Sequence, residues 1–237
     1  MGSNDSRMLV IAMLRRPVVV VFIGPVGSGK TTHMRLACNT LRKMGIRPYC
    51  ISVKTMFIAT RLAIALGLSK LLPGVERVYV TLDLLLNSVL IPLQWLVRTL
   101  MLPALMRRRV VLVEEGLFGS VVDYFNAAFV LNLQPVVRRL LGLLFFLFRM
   151  GYGDGVVFTL CDLSLLPHRW KERGTPPESP IYLFVQVVVF NIIARALRHN
   201  LLQINTALDL GLNKKQVLSY IISLLAQRGD RSSLSLL

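Results

Sequence analysis

Apolar and polar positions follow two rhythms along the chain. Unbroken or nearly unbroken apolar runs occur at Val18–Ile23, Val110–Val113 and Gly155–Cys161, rich in β-branched residues, as in strands buried on both faces. Shorter runs at Arg47–Val53 and Leu201–Ala207 predict two more strands. Between them the apolar positions recur at helical spacing. Thr32–Met44 places Met34, Leu36, Ala37 and Leu41 roughly on one side and stops at Gly45. Further helices are predicted over Met56–Leu66, Leu82–Met106 (one long helix, or two broken near Pro92), Val121–Phe148, Ile181–Leu197 and Lys214–Arg228. Strands alternating with helices predict an α/β fold: a three-layer α/β/α domain around a parallel sheet of about five strands. We read 1–16 as a flexible leader, 17–229 as one domain with a short lid, and 230–237 as a flexible tail.

Composition sharpens this picture in two ways. The 237 residues are 54% hydrophobic, and mean hydropathy is +0.60. The most apolar windows are Leu84–Met106 and Val136–Phe148. The first contains Asn87, Gln94 and Arg98, and the second is too short to cross a bilayer, so both are expected to be buried or interfacial helices. They leave open a peripheral membrane contact or a homodimer seam. The chain also carries 28 Lys+Arg against 12 Asp+Glu, a net charge of +16. Such an excess suits polyanionic partners. Because the arginines are dispersed and not interleaved with aromatics, nucleotides are expected rather than nucleic acid. Cys38, Cys50 and Cys161 form no metal or redox spacing, and the expectation is unpaired thiols in a reducing, cytoplasmic setting.

The candidate chemistry begins where the first strand ends. Gly24-Pro25-Val26-Gly27-Ser28-Gly29-Lys30-Thr31, followed by Thr32, is a complete phosphate-binding loop between a strand and a helix. Its glycines let backbone N–H groups converge on phosphate oxygens, and the helix N-terminus adds partial positive charge. Lys30 is the candidate for the outer phosphates and the Thr31 hydroxyl for Mg²⁺. Val110–Val113 ends in Glu114-Glu115-Gly116, so Glu114 is the candidate acid beside the loop for the metal or its waters. Arg169 and Arg173, four residues apart ahead of a Gly-Thr-Pro-Pro stretch, are candidates for closing over a transferring phosphoryl group.

With these residues in place, the chain resembles the thymidylate kinase-like branch of the P-loop nucleoside and nucleotide kinases. The resemblance rests on the Gly24–Thr32 loop, on Pro103-Ala104-Leu105 followed by the Val110–Glu114 strand, on Asp162, Arg169, Arg173 and Gly174 at the lid, and on Leu201–Thr206. It implies a phosphotransferase that uses ATP and Mg²⁺ on a nucleotide or nucleoside. The acceptor half departs from the family. Glu115 replaces the arginine that would hold an acceptor monophosphate, and Ser52-Val53-Lys54-Thr55 stands where the family has Arg-Glu-Pro. A neutral acceptor would make Glu115 a candidate to orient or deprotonate its hydroxyl; a monophosphate would need Lys54 or Arg98. The competing readings are an ATP-binding module that regulates a partner or membrane contact, and a plain ATPase. A GTPase is disfavoured because Asn213-Lys214-Lys215-Gln216 lacks the acid of a guanine signature.

Overall fold

The computed structural model describes residues 17–67, 76–140, 142, 153–172, 174, 176–197 and 200–228. Its elements run β1 (Val18–Ile23), α1 (Lys30–Lys43), β2 (Tyr49–Val53), α2 (Ile58–Ala65), α3 (Glu76–Trp95), a π-helical turn (Leu96–Met101), α4 (Leu102–Leu105), β3 (Val110–Glu115), α5 (Gly116–Leu131), β4 (Gly155–Leu160), α6 (Leu166–Glu172), α7 (Pro180–Ala196), β5 (Leu201–Asn205) and α8 (Leu210–Gln227). The predicted leader and tail lie outside the described residues, as does the second half of the Val136–Phe148 window.

The five strands form one sheet in the order β2-β3-β1-β4-β5, and every pairing is parallel. Parallel strands need both faces covered, because the crossovers lay helices on each side. One face packs α3, α5 and α7 against alternate residues of the central strands, including Val19, Val21, Val111 and Val113. The other packs α1 and α8 against Val20, Phe22, Leu112 and Val157. Every residue of β1 is at most 2% exposed, which is why the run carries no polar residue. Burying each such side chain stabilises the domain by roughly 1.5–3 kcal/mol before entropy is counted. From β1 the chain runs outward to β2, returns at β3 and then crosses past β1 to β4, so the direction of winding reverses beside β1. The crevice above the carboxyl ends of β1, β3 and β4 is therefore the ligand position of such a sheet.

The long apolar segment takes the first of its two predicted forms, one long helix. Pro92 lies inside α3 without ending it, and the chain continues through the π-helical turn into α4, whose first turn takes Pro103. The predicted helix over Val121–Phe148 is divided. α5 starts earlier, at Gly116, and Asn132 in the left-handed region (φ 56°) closes it before a short helix over 134–140.

The outer faces of the α3–α5–α7 layer are apolar. On α3, Val78, Leu82, Leu85, Val89 and Leu93, with Leu96 beyond, recur at helical spacing, and each is at least 45% exposed. Phe125 and Phe129 on α5, and Phe184 and Ile192 on α7, are exposed as well. Inner and outer faces of these helices are therefore both hydrophobic.

The cysteine expectation needs correction. Cys38 in α1 and Cys50 in β2 are joined by a disulfide, with Cα atoms 6.6 Å apart. α1 returns along the sheet before β2 begins, so residues twelve apart in sequence come to face each other. Cys161 is free. Peptide mapping without reductant should recover a Cys38–Cys50 cross-link, and reduction should lower unfolding free energy by about 2–4 kcal/mol. Alkylation of both thiols in the native, unreduced protein would contradict this pairing.

Candidate active site

The site is built at the turn from β1 to α1. Gly24, Gly27 and Gly29 have φ of 146°, 86° and 92°, which side-chain-bearing residues rarely adopt. Gly24 also passes so close to the Thr159 backbone at the end of β4 that a Cβ would collide with it. A Cβ on Gly27 would lie 2.9 Å from Leu166 and 3.1 Å from Trp170, so α6 packs directly on the loop. The curl is pinned by Ser28 N–H donating to Pro25 O at 3.1 Å. The Ser28 and Thr159 hydroxyls are 2.6 Å apart, and Thr159 donates on to Ile23 O at 3.0 Å.

The predicted chemical residues meet here. Lys30 is buried, and its Nζ donates to Gly24 O at 2.7 Å and Pro25 O at 3.0 Å. Glu115 Oε1 lies 3.4 Å from the same nitrogen. Burial pulls the Lys30 ammonium below the ordinary lysine range, while Glu115 and Glu114 push the other way. The Thr31 hydroxyl donates to Glu114 Oε1, a pairing made possible because Glu114 sits opposite Phe22 in the β1–β3 register. A hydroxyl and a carboxylate in contact at the mouth of a phosphate loop are the hard-oxygen donors that Mg²⁺ takes alongside substrate phosphates. Thr32 is exposed at the start of α1. An open groove of about 390 Å³ between α1 and β2 reaches this pair and has Arg35, Arg42, Ser52 and the two bonded cysteines on its walls.

Glu115 is held in an unusual backbone. Its φ is +66°, followed by Gly116 at +57°. For a residue with a Cβ this costs on the order of 1–2 kcal/mol. The turn redirects the Glu115 carboxylate onto Lys30, and Gly116 is packed against Trp95 where a Cβ would be 3.0 Å from the ring. Lys54 is exposed, and Arg98 donates to Ser52 O at 3.2 Å, at the end of β2.

Arg169 reaches the loop from α6. Its Nη1 donates to Gly27 O and Thr206 Oγ1, each at 3.1 Å, and its Nη2 donates to Thr206 O at 2.9 Å. It thus ties the phosphate loop to the segment after β5. Arg173 lies outside the described residues.

Sequence reading missed a polar chain that starts at the glycine loop. Val26 N–H donates to Gln186 Oε1 at 2.8 Å. Gln186 also bonds Tyr182, and Tyr182 OH donates to Asp123 Oδ1 at 2.8 Å. Thr55, after β2, bonds Asp123 as well and donates to Ser120 Oγ at 3.3 Å. The phosphate loop is thereby connected to α7, α5 and the β2–α2 turn. Burial raises Asp123 from 3.8 to about 6, with Glu115 and Glu178 adding to the rise and the hydroxyls of Thr55 and Tyr182 opposing it. Burial and the Asp123 charge likewise raise the Tyr182 phenol. The available signal was that Asp123 is the one charged residue of α5 and that Gln186 interrupts the apolar run Leu183–Phe190 in α7.

Solved structures that share this fold include two kinases. Thymidylate kinase from Ehrlichia chaffeensis aligns with a TM-score of 0.52 at 16% identity, covering 86% of this chain and 98% of its own. Deoxyadenosine kinase from M. mycoides with bound dCTP aligns with a TM-score of 0.56 at 11% identity, covering 86% and 99%. The architecture is that of the P-loop nucleotide kinases, in agreement with the resemblance carried by the motifs. No protein-family profile matches the chain, and no curated protein matches it by sequence.

Because the native Asp123 pKa is raised, the folded state keeps a proton that the unfolded chain releases near 3.8. The associated stability is complete below that value and is lost as pH rises through about 6. Melting curves across this window should show the parent losing on the order of 2 kcal/mol relative to Asp123→Asn, less where solvent screens the group. Parallel curves for the two proteins would show that Asp123 titrates as in the unfolded chain.

Proposed function

We propose that the protein is a phosphotransferase of the nucleotide-kinase type, moving the γ-phosphate of Mg-ATP to a nucleotide-like acceptor. The observation that carries this reading is the meeting of Lys30, Thr31, Glu114 and Glu115 at the glycine loop, above the switch point of the sheet. Thr31 and Glu114 are the residues that would hold Mg²⁺, whose contribution is to neutralise charge on the phosphates. Loop amides orient the triphosphate. Lys30, now on two carbonyls and Glu115, has an ammonium that can be given to phosphate oxygens instead. Arg169 keeps the loop's Gly27 end against Thr206, a positioning role.

Charge favours an acceptor that presents a neutral hydroxyl. A carboxylate within salt-bridge range of Lys30 repels an incoming phosphate dianion by several kcal/mol at short range. The same carboxylate suits proton transfer. The acceptor oxygen bonds to the γ-phosphorus, the bond to the ADP oxygen breaks, and the hydroxyl proton passes to Glu115. The competing reading, an ATP-dependent switch for a partner or membrane, is favoured by the apolar outer layer of α3, α5 and α7. A plain ATPase would need neither feature.

Transfer of labelled γ-phosphate to a panel of nucleosides and nucleoside monophosphates tests this directly. The expected outcome is labelling of a nucleoside in preference to its monophosphate. Lys30→Ala should reduce turnover at least ~10²-fold, and Glu115→Arg should move the preference toward a monophosphate. Tight ATP binding with no labelled product across the panel would replace the phosphotransferase reading with the switch. Efficient use of a monophosphate by the parent protein would overturn the charge argument for the acceptor.

A further inference from the structure

We propose that the end of the domain where the strands begin docks on an anionic lipid bilayer, with Leu105 and Met106 entering the acyl boundary and the surrounding cations holding lipid phosphates. This inference stands apart from the phosphotransferase reading. Because all five strands are parallel, their first residues share one end of the sheet. The chain enters β2 through Arg47 and β3 through Arg107–Arg109. Val18 N–H, at the start of β1, donates to Arg109 O at 2.9 Å. α1 and α7 return to this end with Arg42, Lys43 and Arg195 in their last turns. Arg42, Lys43, Arg47, Arg107, Arg109 and Arg195 are all exposed. Among the described residues of these connections and last turns, Asp154 is the one acid, and it is already bonded to Arg228 and to Val19 N–H. Acids gather at the other end of the strands, where Glu114 and Glu115 finish β3, and Asp162 and Asp209 follow β4 and β5. Charge is thus polarised along the strands, and an anionic surface meets the end where they begin.

An apolar tip inside this basic field selects the bilayer. Leu105, at 77%, is the most exposed large apolar side chain among the described residues, and Met106 beside it is 48% exposed. They close α4 and lead directly into Arg107. The corner is held by backbone hydrogen bonds: Arg107 N–H donates to Ala104 O at 3.0 Å and Arg108 N–H to Pro103 O at 2.7 Å. Residues 1–16 join the domain at this same end, at Pro17, and their Met8–Leu14 run followed by Arg15-Arg16 repeats the pairing of apolar and basic. A bilayer supplies both partners, phosphate at the headgroup and hydrocarbon beneath it. A second copy on this face would set like charge against like charge, and duplex nucleic acid would leave Leu105 and Met106 among phosphates and water. The glycine loop, at the opposite end of the strands, then faces away from the membrane.

Flotation of the full chain with phosphatidylcholine vesicles, and with vesicles that also contain phosphatidylglycerol, tests this. Partition should be about tenfold or more stronger on the anionic vesicles and should weaken as salt is raised. Leu105→Ser/Met106→Ser should lose about tenfold in partition with an unchanged circular-dichroism melt, because both side chains stand in solvent. Arg107→Glu/Arg109→Glu should remove the preference for anionic vesicles. Leu93→Ser/Phe129→Ser, on the outer faces of α3 and α5, should partition like the parent. Absent partition, or equal partition on both vesicle types, overturns the proposal. So does partition that survives Leu105→Ser/Met106→Ser and is lost in Leu93→Ser/Phe129→Ser, or binding of duplex DNA by a protein that floats with neither vesicle.

Discussion

The turn between Ile23 and Lys30 is the constraint on which the functional half depends. Three of its residues occupy backbone conformations open in practice to glycine, and one passes against the Thr159 backbone with no room for a Cβ. The turn can be that tight because β1 beneath it is fully buried and clamped between β3 and β4. The parallel register also places Glu114 opposite Phe22, so the Thr31 hydroxyl finds a carboxylate at the loop's mouth. The burial that makes the sheet stable is thus what aims the chemistry.

Charge at this mouth is arranged in opposition. A buried ammonium is unfavourable alone, and two carbonyls together with Glu115 compensate it. Glu115 reaches that position only through a left-handed backbone that its side chain disfavours. The carboxylate thus sits on the loop lysine at one side of the mouth, while Arg169 bonds Gly27 O at the other end of the loop. The Gln186–Tyr182–Asp123–Thr55 chain then links the loop at Val26 to α7, α5 and the β2–α2 turn through hydrogen bonds.

Much of this was legible in the residues. Unbroken apolar runs identified the strands because central parallel strands are buried on both faces, and the loop motif identified its own geometry because glycine, lysine and threonine each have a chemical reason to be there. Less local features were not. Pro92 leaves one helix or two open, and in the fold the helix accommodates it and widens into a π-helical turn further on. The Cys38–Cys50 bond depends on how α1 returns to the sheet, which spacing alone does not reveal. Asp123 and Gln186 belong to no motif, and their partners come from segments about 60 and 160 residues away in sequence. Nor does spacing reveal that α6 folds onto the loop, so that Arg169 bonds Gly27 and Thr206.

Calorimetric titration with ATP, with and without Mg²⁺, on the parent protein and on Glu114→Ala, tests the central claim most directly. The Thr31–Glu114 pair beside the glycine loop predicts that Mg²⁺ tightens triphosphate binding in the parent and that the substitution removes at least ~tenfold of that gain. Binding that is indifferent to Mg²⁺ in both proteins, or no heat at millimolar ATP, would contradict it.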